Sequence, residues 1–250
     1  MLSLDLLAHT GPLRSRAAIE KIGPGLGLVA VALAFDPVPT ALIIITITTG
    51  LALFVAQISV ARWLRALSLP AGFIVTGALG VMLVGGDGPG PLPLTIEKAS
   101  FEEGLDVLLR SVAGTSAVIL IGATTPMVDI IALLRRLRVP TVVTDQMASI
   151  YRLVFDLIDT GRRIRLSQVA RLGHDGFRRS VRSSGTLAGA VFVHGIHRAK
   201  RLQVGLDARG YDGELRVMRV TKPVDAAWLA VGLLVVVVAA VSGPLLRGVT

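Results

Sequence analysis

Two stretches of the sequence place an arginine directly after an alanine, close to a glycine, where a helical pattern ends. They are Ala170-Arg171-Leu172-Gly173 and Ala208-Arg209-Gly210, which we name the first and the second Ala-Arg end. Glycine suits the left-handed residue that closes a helix, and alanine keeps the last turn thin enough for another protein to approach. The arginine adds five donors in a planar fork, which can clamp a carboxylate or a row of carbonyls. The chemistry of both ends is therefore that of protein docking.

A single arginine at a helix C-terminus has a simpler explanation. It compensates the negative end of the helix macrodipole and contributes about 0.3–1 kcal/mol. That explanation is sufficient for one such end. Two matched ends within one basic region favour docking instead.

Both Ala-Arg ends continue the apolar stripe of an amphipathic helix, at 100° per residue. The stripe before the first end consists of Ile150, Leu153, Leu157 and Ile164, and the stripe before the second consists of Ala199, Leu202 and Leu206. Pro140 is well placed to begin the first helix. After a polar turn, Ser183 and Ser184 are N-cap candidates for the second helix. Pro126 and Arg138 bracket a shorter helix before both of them.

His194 and His197 lie three residues apart on one helical face, a spacing that could present two imidazoles to Co²⁺ or Ni²⁺. The sequence places no third ligand at a motif spacing and no acidic residue beside them, so a structural role is favoured. The chain has no cysteine, which excludes a thiolate site. We therefore expect no metal site on this chain.

The sequence lacks one nucleotide-binding motif and carries only the letters of another. None of the four lysines, Lys21, Lys98, Lys200 and Lys222, follows a glycine, so a G-x-x-x-x-G-K-[ST] phosphate loop is absent. We therefore expect no catalysis and no cofactor on this chain, and the energy must come from a partner or a gradient. Gly25-Leu26-Gly27-Leu28-Val29-Ala30 has the letters of a dinucleotide fingerprint, but no strand pattern precedes it. Close helix packing is the favoured interpretation.

The elements that carry these motifs are those of a membrane protein. The chain has 250 residues, of which 52% are hydrophobic and only 17% are charged, against roughly 25% charged in soluble domains. The sequence predicts an all-α, polytopic membrane protein with about five transmembrane helices and a helical module before the last one. The apolar segments are residues 22–35, 40–61, 69–86, 105–128 and 226–246. The expected parts are residues 1–125 (four spans), 126–222 (the helical module) and 223–250 (the last span).

Basic residues are concentrated in the module. Of the 26 lysines and arginines, eight lie outside residues 130–222, which leaves 18 inside that range. The positive-inside rule therefore predicts a cytoplasmic module, with the acidic loop between residues 87 and 106 outside. A net charge of +9 would also fit a nucleic-acid partner, but only 4% of the residues are aromatic, which leaves few rings for base stacking. We expect a lipid bilayer and no nucleic acid.

The motifs together resemble one transporter family. They include Thr125-Pro126-Met127-Val128-Asp129-Ile130-Ile131, both Ala-Arg ends and Asp207-Ala208-Arg209-Gly210-Tyr211-Asp212-Gly213. The chain resembles, over nearly its whole length, the T component of energy-coupling factor transporters, and within that family the cobalt-type CbiQ proteins. Ala208, Arg209 and Gly210 match the family's second docking motif in full. The first motif is matched by Ala170 and Arg171, but Leu172 stands where Gly or Ser is usual, and Gly173 follows one place late.

The resemblance implies a multi-pass protein of a prokaryotic cell membrane that couples ATP hydrolysis to cobalt uptake. Two ABC-type ATPase subunits would carry ATP and Mg²⁺ and would bind the Ala-Arg ends. A separate integral membrane substrate-binding component would bind the cargo. Because the cargo site is on another subunit, a T component for nickel, biotin or several vitamins is an alternative. A gradient-driven carrier is disfavoured, because it requires ionisable residues at the bilayer midplane, and the spans between residues 40 and 86 carry them only at their ends.

Overall fold

The computed structural model of the protein describes residues 7–9, 11–35, 37–84, 98–210 and 222–247. Within these ranges the chain forms eight α-helices of ten or more residues and no strand. They are α1 (Ala18–Ala34), α2 (Pro37–Gly50), α3 (Val60–Val84), α4 (Lys98–Thr124), α5 (Met127–Arg136), α6 (Thr141–Ala170), α7 (Phe177–Asp207) and α8 (Ala226–Arg247). A 3₁₀ turn, Pro12–Ser15, precedes α1, and a π-helical turn, Leu51–Val55, extends α2. The predicted all-α class is confirmed.

The chain divides into two compact units. Unit 1 combines Met1–Ile130 with Thr221–Thr250, and unit 2 is the intervening segment, Ile131–Val220. The predicted acidic loop at residues 87–106 is described only in part: residues 87–97 lie outside the described residues, and residues 98–106 belong to α4 and are helical. The end of the docking motif at residues 211–213 also lies outside the described residues.

The apolar helices of unit 1 are those of a multi-pass membrane protein, as predicted. Among the described residues, Val38–Val55, Val60–Leu83 and Ser100–Thr124 are each long and apolar enough to cross a membrane. Helix α1, with 17 residues, and the apolar part of α8, Ala226–Val241, are shorter and stand at the positions of the other two predicted spans.

The connection between the second and third spans lies earlier than predicted. The chain turns at residues 56–59, where Gln57 has a φ of 53°, and α3 begins at Val60. The Ser59 carbonyl accepts the first backbone bonds of α3, and Arg62 Nε donates to Ser59 Oγ over 2.8 Å. Arg62 and Arg65 are therefore on the first two turns of α3, which begins directly after Ser59.

Glycines bring the spans of unit 1 into close contact. A Cβ atom at Gly25 would lie 2.4 Å from the Ile121 side chain of α4, and one at Gly27 would lie 2.9 Å from Val236 of α8. Both glycines are needed because a neighbouring helix occupies the space that a side chain would fill. Close helix packing is thus the role of the Gly25–Ala30 motif, as the sequence analysis favoured.

Unit 2 contains an antiparallel pair of long helices, α6 and α7. Gln168 Nε2 donates to the Ser183 carbonyl over 3.0 Å and lies 3.2 Å from Thr186 Oγ1. Farther along the pair, a Cβ atom at Gly195 would be 3.5 Å from Leu157. Contacts therefore run from the connecting turn to the middle of both helices. Proline starts α6 as predicted, with Pro140 as the residue before its first turn.

The predicted start of α7 is wrong. The helix begins at Phe177, with Gly176 as N-cap at a φ of 89°, so Ser183 and Ser184 are inside it. Ser183 is occupied by a different contact, because its hydroxyl donates to the Gly173 carbonyl over 2.7 Å. Ser183 therefore does not cap α7, and its hydrogen bond connects the helix to the turn that precedes it.

Candidate docking sites at two helix ends

The second Ala-Arg end closes α7 with a left-handed glycine. The helix ends at Asp207, and Ala208 still has helical angles, φ −64° and ψ −18°. Arg209 N donates to the Leu206 carbonyl over 3.0 Å, and Gly210 N donates to the Asp207 carbonyl over 3.0 Å. Gly210 has a φ of 71°, a conformation that glycine adopts without steric cost. Arg209 therefore directly precedes the left-handed residue that closes the helix.

The first Ala-Arg end has the same geometry, but a different residue adopts the left-handed conformation. Helix α6 ends at Ala170, and Leu172, not Gly173, has the positive φ, 55°. Leu172 N donates to the Val169 carbonyl over 3.0 Å, and Gly173 N donates to the Gln168 carbonyl over 2.8 Å. These two bonds form a complete Schellman motif. Leu172 is thus the counterpart of Gly210, and Arg171 is the counterpart of Arg209.

Gly173 is required for space. A Cβ atom there would lie 2.9 Å from both the Gln168 carbonyl oxygen and Ser183 Oγ. The sequence pattern predicts that this glycine supplies the left-handed residue one place late. Its role is instead to let the turn between α6 and α7 close tightly, while Leu172 adopts the left-handed conformation that L-residues generally avoid.

The arginines of both ends are exposed to solvent. Ala170 and Arg171 are exposed, and so are Ala208 and Arg209. Across the described residues, neither arginine takes part in an ion pair. The two guanidinium forks are therefore available to carboxylates or carbonyls of another protein.

The two ends are far apart within unit 2. Arg171 lies in the turn that connects α6 to α7, whereas Arg209 follows the other end of α7. That helix has 31 residues, which corresponds to a length of ~45 Å. Two separate binding surfaces are needed to engage both arginines.

Apolar and basic side chains surround the first end. Leu172 is 69% exposed and Phe177 is 87% exposed. Arg178 and Arg182 are exposed nearby, and Arg179 pairs with Asp175 over 3.2 Å. A partner that covers this end has to provide both apolar surface and negative charge.

The two histidines considered as metal ligands lie on α7. His194 Nε2 is 3.8 Å from Asp156 Oδ2 of α6, and Arg198 Nε is 3.5 Å from the same oxygen. This carboxylate links the helix pair at its middle. Among the described residues, no group of three His, Cys, Asp or Glu side chains is placed to hold a metal ion.

A second polar cluster, which the sequence analysis missed, lies in unit 1. It contains three cations and three anions: Arg16, Glu20, Lys21, Asp129, Lys222 and Asp225. We name it the passage cluster, because Asp129 and Lys222 lie next to the two places where the chain passes from one unit to the other. Lys222 Nζ donates to Asp129 Oδ2, and Arg16 Nη1 donates to Asp225 Oδ2 over 2.7 Å. The Arg16 hydrogen bond holds the pKa of the Asp225 carboxyl below its usual range. Asp129 belongs to a motif noted in the sequence, but its partner is 93 residues away.

Comparisons with known proteins indicate one family. The sequence profile of the CbiQ family, described as cobalt transport protein, matches residues 15–220. The chain is 34% identical to the cobalt transport protein CbiQ of Rhodobacter capsulatus over 240 residues, which are 96% of each chain. It is 27% identical to the CbiQ of Salmonella typhimurium over 87% of this chain and 100% of that one. A protein of Methanocorpusculum labreanum, named as a candidate fused cobalt transport protein CbiMQ, is 28% identical over 84% of this chain and 36% of its own length.

Proposed function

Because this chain belongs to the CbiQ family of cobalt transport proteins, we propose that it is the transmembrane energy-coupling subunit of an ATP-driven cobalt uptake transporter. It transmits the movement of ATPase subunits to a membrane subunit that binds the cargo. ATP and Mg²⁺ are bound by the ATPases, and this chain performs no catalysis.

The observation that carries this proposal is the pair of equivalent Ala-Arg ends. Each presents an exposed arginine one residue before a left-handed residue, and the separation of ~45 Å suits two ATPase subunits, each binding one end. Arg171 and Arg209 place their forks on carboxylates or carbonyls of the ATPase grooves. Ala199 and Leu202, the exposed residues of the α7 stripe, contribute helix-in-groove contacts.

The exposed middle of α7 is assigned to the membrane subunit that binds the cargo. Gly185 and Gly189 have open space where a side chain would be, and Phe192 is 69% exposed. No described residue covers these two glycines. A surface of small and apolar residues suits close contact with a helix of a partner, and the fused CbiMQ relative is consistent with such a partner.

The proposed orientation places unit 2 in the cytoplasm of a prokaryotic cell, where the ATPases are. The start of α1 and the end of α4 meet in unit 1, because Lys21 Nζ donates to the Thr124 carbonyl over 2.9 Å. The start of α8 joins them through Arg16 and Asp225. Alternating spans require these three helix ends to share one side of the membrane, and the basic residues assign that side to the cytoplasm.

Charge reversal at the Ala-Arg ends tests this function. Arg171→Glu and Arg209→Glu should each weaken copurification of the ATPases from detergent, because a carboxylate would face the acidic partner groups. The double variant should lose the ATPases entirely. The control is Arg163→Glu, the same charge change on an exposed residue in the interior of α6, which should retain the ATPases. The proposal fails if both single variants and the double variant copurify ATPases as well as the wild type does.

A further inference from the structure

An ion pair joins the two places where the chain passes between unit 1 and unit 2. The chain leaves unit 1 after Ile130 and returns to it at residue 221. Asp129 therefore lies one residue from the first passage, and Lys222 lies one residue from the second. Lys222 Nζ donates to Asp129 Oδ2. The pair holds the two passages together from within unit 1.

This ion pair is shielded from solvent. The side chains of Asp129 and Lys222 are 16% and 22% exposed, so that salt and water weaken their attraction less than that of a surface pair. Lys21 approaches the same Asp129 oxygen at 3.9 Å, and its side chain is 6% exposed. Asp129 thus has two lysine partners, of which Lys222 is the closer.

The pair is connected to two membrane helices. Lys21, on α1, donates to the Thr124 carbonyl at the end of α4 over 2.9 Å. Lys222 also donates to the Arg14 carbonyl in the turn before α1. Displacement of either passage therefore acts on α1 and α4 through hydrogen bonds that already exist.

The remaining members of the passage cluster extend the connection to α8. Asp225 N donates to Glu20 Oε1 of α1 over 2.8 Å, and Asp225 Oδ1 accepts from Ala227 N over 3.1 Å, which makes Asp225 the cap of α8. Arg16 binds Asp225 and lies 4.8 Å from the centre of the Trp228 ring. The first turns of α1 and α8 are therefore held to each other.

A helix-capping role does not explain the ion pair. Asp129 lies in the first turn of α5, where any carboxylate interacts favourably with the helix macrodipole. That interaction requires no lysine from the other passage. The macrodipole leaves one observation unexplained: the negative charge beside the first passage forms an ion pair with the positive charge beside the second.

We propose that Asp129 and Lys222 are positioning residues for energy coupling. Their ion pair keeps the two passages at a fixed distance from each other, so that a movement of unit 2 displaces α1, α4 and α8 together. Without the pair, each passage bends separately and the movement is lost before it reaches the spans. This inference rests on the proposed function, since it requires that ATPases move unit 2.

The test measures cobalt uptake per ATP hydrolysed, in liposomes that contain the complete transporter. Asp129→Asn removes the charge partner of both lysines and should lower this ratio roughly tenfold, within the range of ordinary coupling energies. Lys222→Met breaks the same link between the two passages and should lower the ratio to a similar extent. The double variant should be no worse than Asp129→Asn alone, since the two residues act as a unit. Asp159→Asn, which removes an exposed ion pair with Arg162, is the control and should leave the ratio unchanged.

A covalent cross-link between positions 129 and 222 distinguishes a role of the ion pair in coupling from a role in folding. The chain has no cysteine, so Asp129→Cys with Lys222→Cys provides a unique thiol pair when the partner subunits are also cysteine-free. A short bifunctional thiol reagent, longer than a disulfide, should restore uptake per ATP in this variant. If the Asp129→Asn complex fails to assemble, the cross-linked double-cysteine variant decides whether the ion pair has a role in coupling.

The outcomes distinguish this inference from the proposed function. If no ATPase copurifies with the wild-type chain, the proposed function is wrong. If the complexes assemble and hydrolyse ATP, but the variants keep the wild-type ratio of uptake to hydrolysis, only the coupling role of the ion pair is wrong. A bridged thiol pair that stays uncoupled also overturns that role.

Discussion

The left-handed residue of each Ala-Arg end predicts an asymmetric response to substitution. In Gly210→Ala, a Cβ atom meets no described residue within 4 Å, so the effect comes from the backbone alone. The left-handed conformation costs an L-residue roughly 1–2 kcal/mol, and the loss of glycine's unfolded-state entropy returns about 0.4–1 kcal/mol. The net penalty of about 1 kcal/mol lowers the equilibrium ratio of the docking conformation to the other conformations of this end about fivefold. We expect ATPase affinity at this end to fall by up to the same factor.

Leu172→Gly is the opposite change and should have little effect. Removing the left-handed strain gains roughly 1–2 kcal/mol. The added unfolded-state entropy costs about 0.4–1 kcal/mol. Leu172 is 69% exposed, so the burial lost with its side chain is about a third of the ~1.5–3 kcal/mol for full burial. These contributions nearly cancel, and affinity at the first end should change less than about twofold.

The assay is the affinity of one ATPase subunit for the purified chain in nanodiscs, with the other end disabled. Gly210→Ala is measured in an Arg171→Glu background, and Leu172→Gly in an Arg209→Glu background. The control is Gly205→Ala, the same chemical change inside α7, where alanine favours the helix. The reasoning is refuted if Gly210→Ala binds like its parent, or if Gly205→Ala weakens binding equally.

Two further predictions concern other parts of the chain. Gly232→Ala should destabilise the membrane part by about 1–3 kcal/mol, because its Cβ would lie 2.4 Å from the rigid Pro24 ring; thermal unfolding in detergent measures this, and Gly72→Ala, which meets nothing within 4 Å, should be neutral. His194→Ala combined with His197→Ala should leave cobalt uptake unchanged, because the pair is assigned a structural role; loss of uptake in an intact complex would contradict that role.

Features that depend on local chemistry could be predicted from the sequence. Pro140 starts α6 and Pro126 precedes α5, because proline has no amide hydrogen and suits the first turn of a helix. Gly25 and Gly27 of α1 contact neighbouring helices, as expected of small residues within apolar spans. The all-α class follows from the same apolar periodicity.

Features that depend on competition between signals could not be predicted. Ser183 has the chemistry of an N-cap, but Gly176 ends the turn seven residues earlier and leaves Ser183 free to bond the Gly173 carbonyl. The left-handed Leu172 was missed for a similar reason. Gly173 is the obvious candidate from residue preference, but the close approach of Ser183 and Gln168 requires glycine there for space.

The passage cluster was beyond sequence reasoning for a different reason. Asp129 and Lys222 are 93 residues apart, and no spacing rule connects two single residues on either side of a whole unit. Their proximity follows from the way α1, α4 and α8 pack in unit 1. A pairing of this kind becomes visible only when the three-dimensional structure is known.

The most direct measurement of the central claim is site-specific photo-cross-linking in intact membranes. A photo-reactive amino acid replaces Arg171 or Arg209 in turn, and the cross-linked partner is identified by mass spectrometry. The control position is Phe73, which is 87% exposed on α3 and is expected to face lipid. Docking at the two helix ends predicts cross-links to an ATPase subunit from both arginine positions and none from Phe73. The account is contradicted if neither arginine position captures an ATPase.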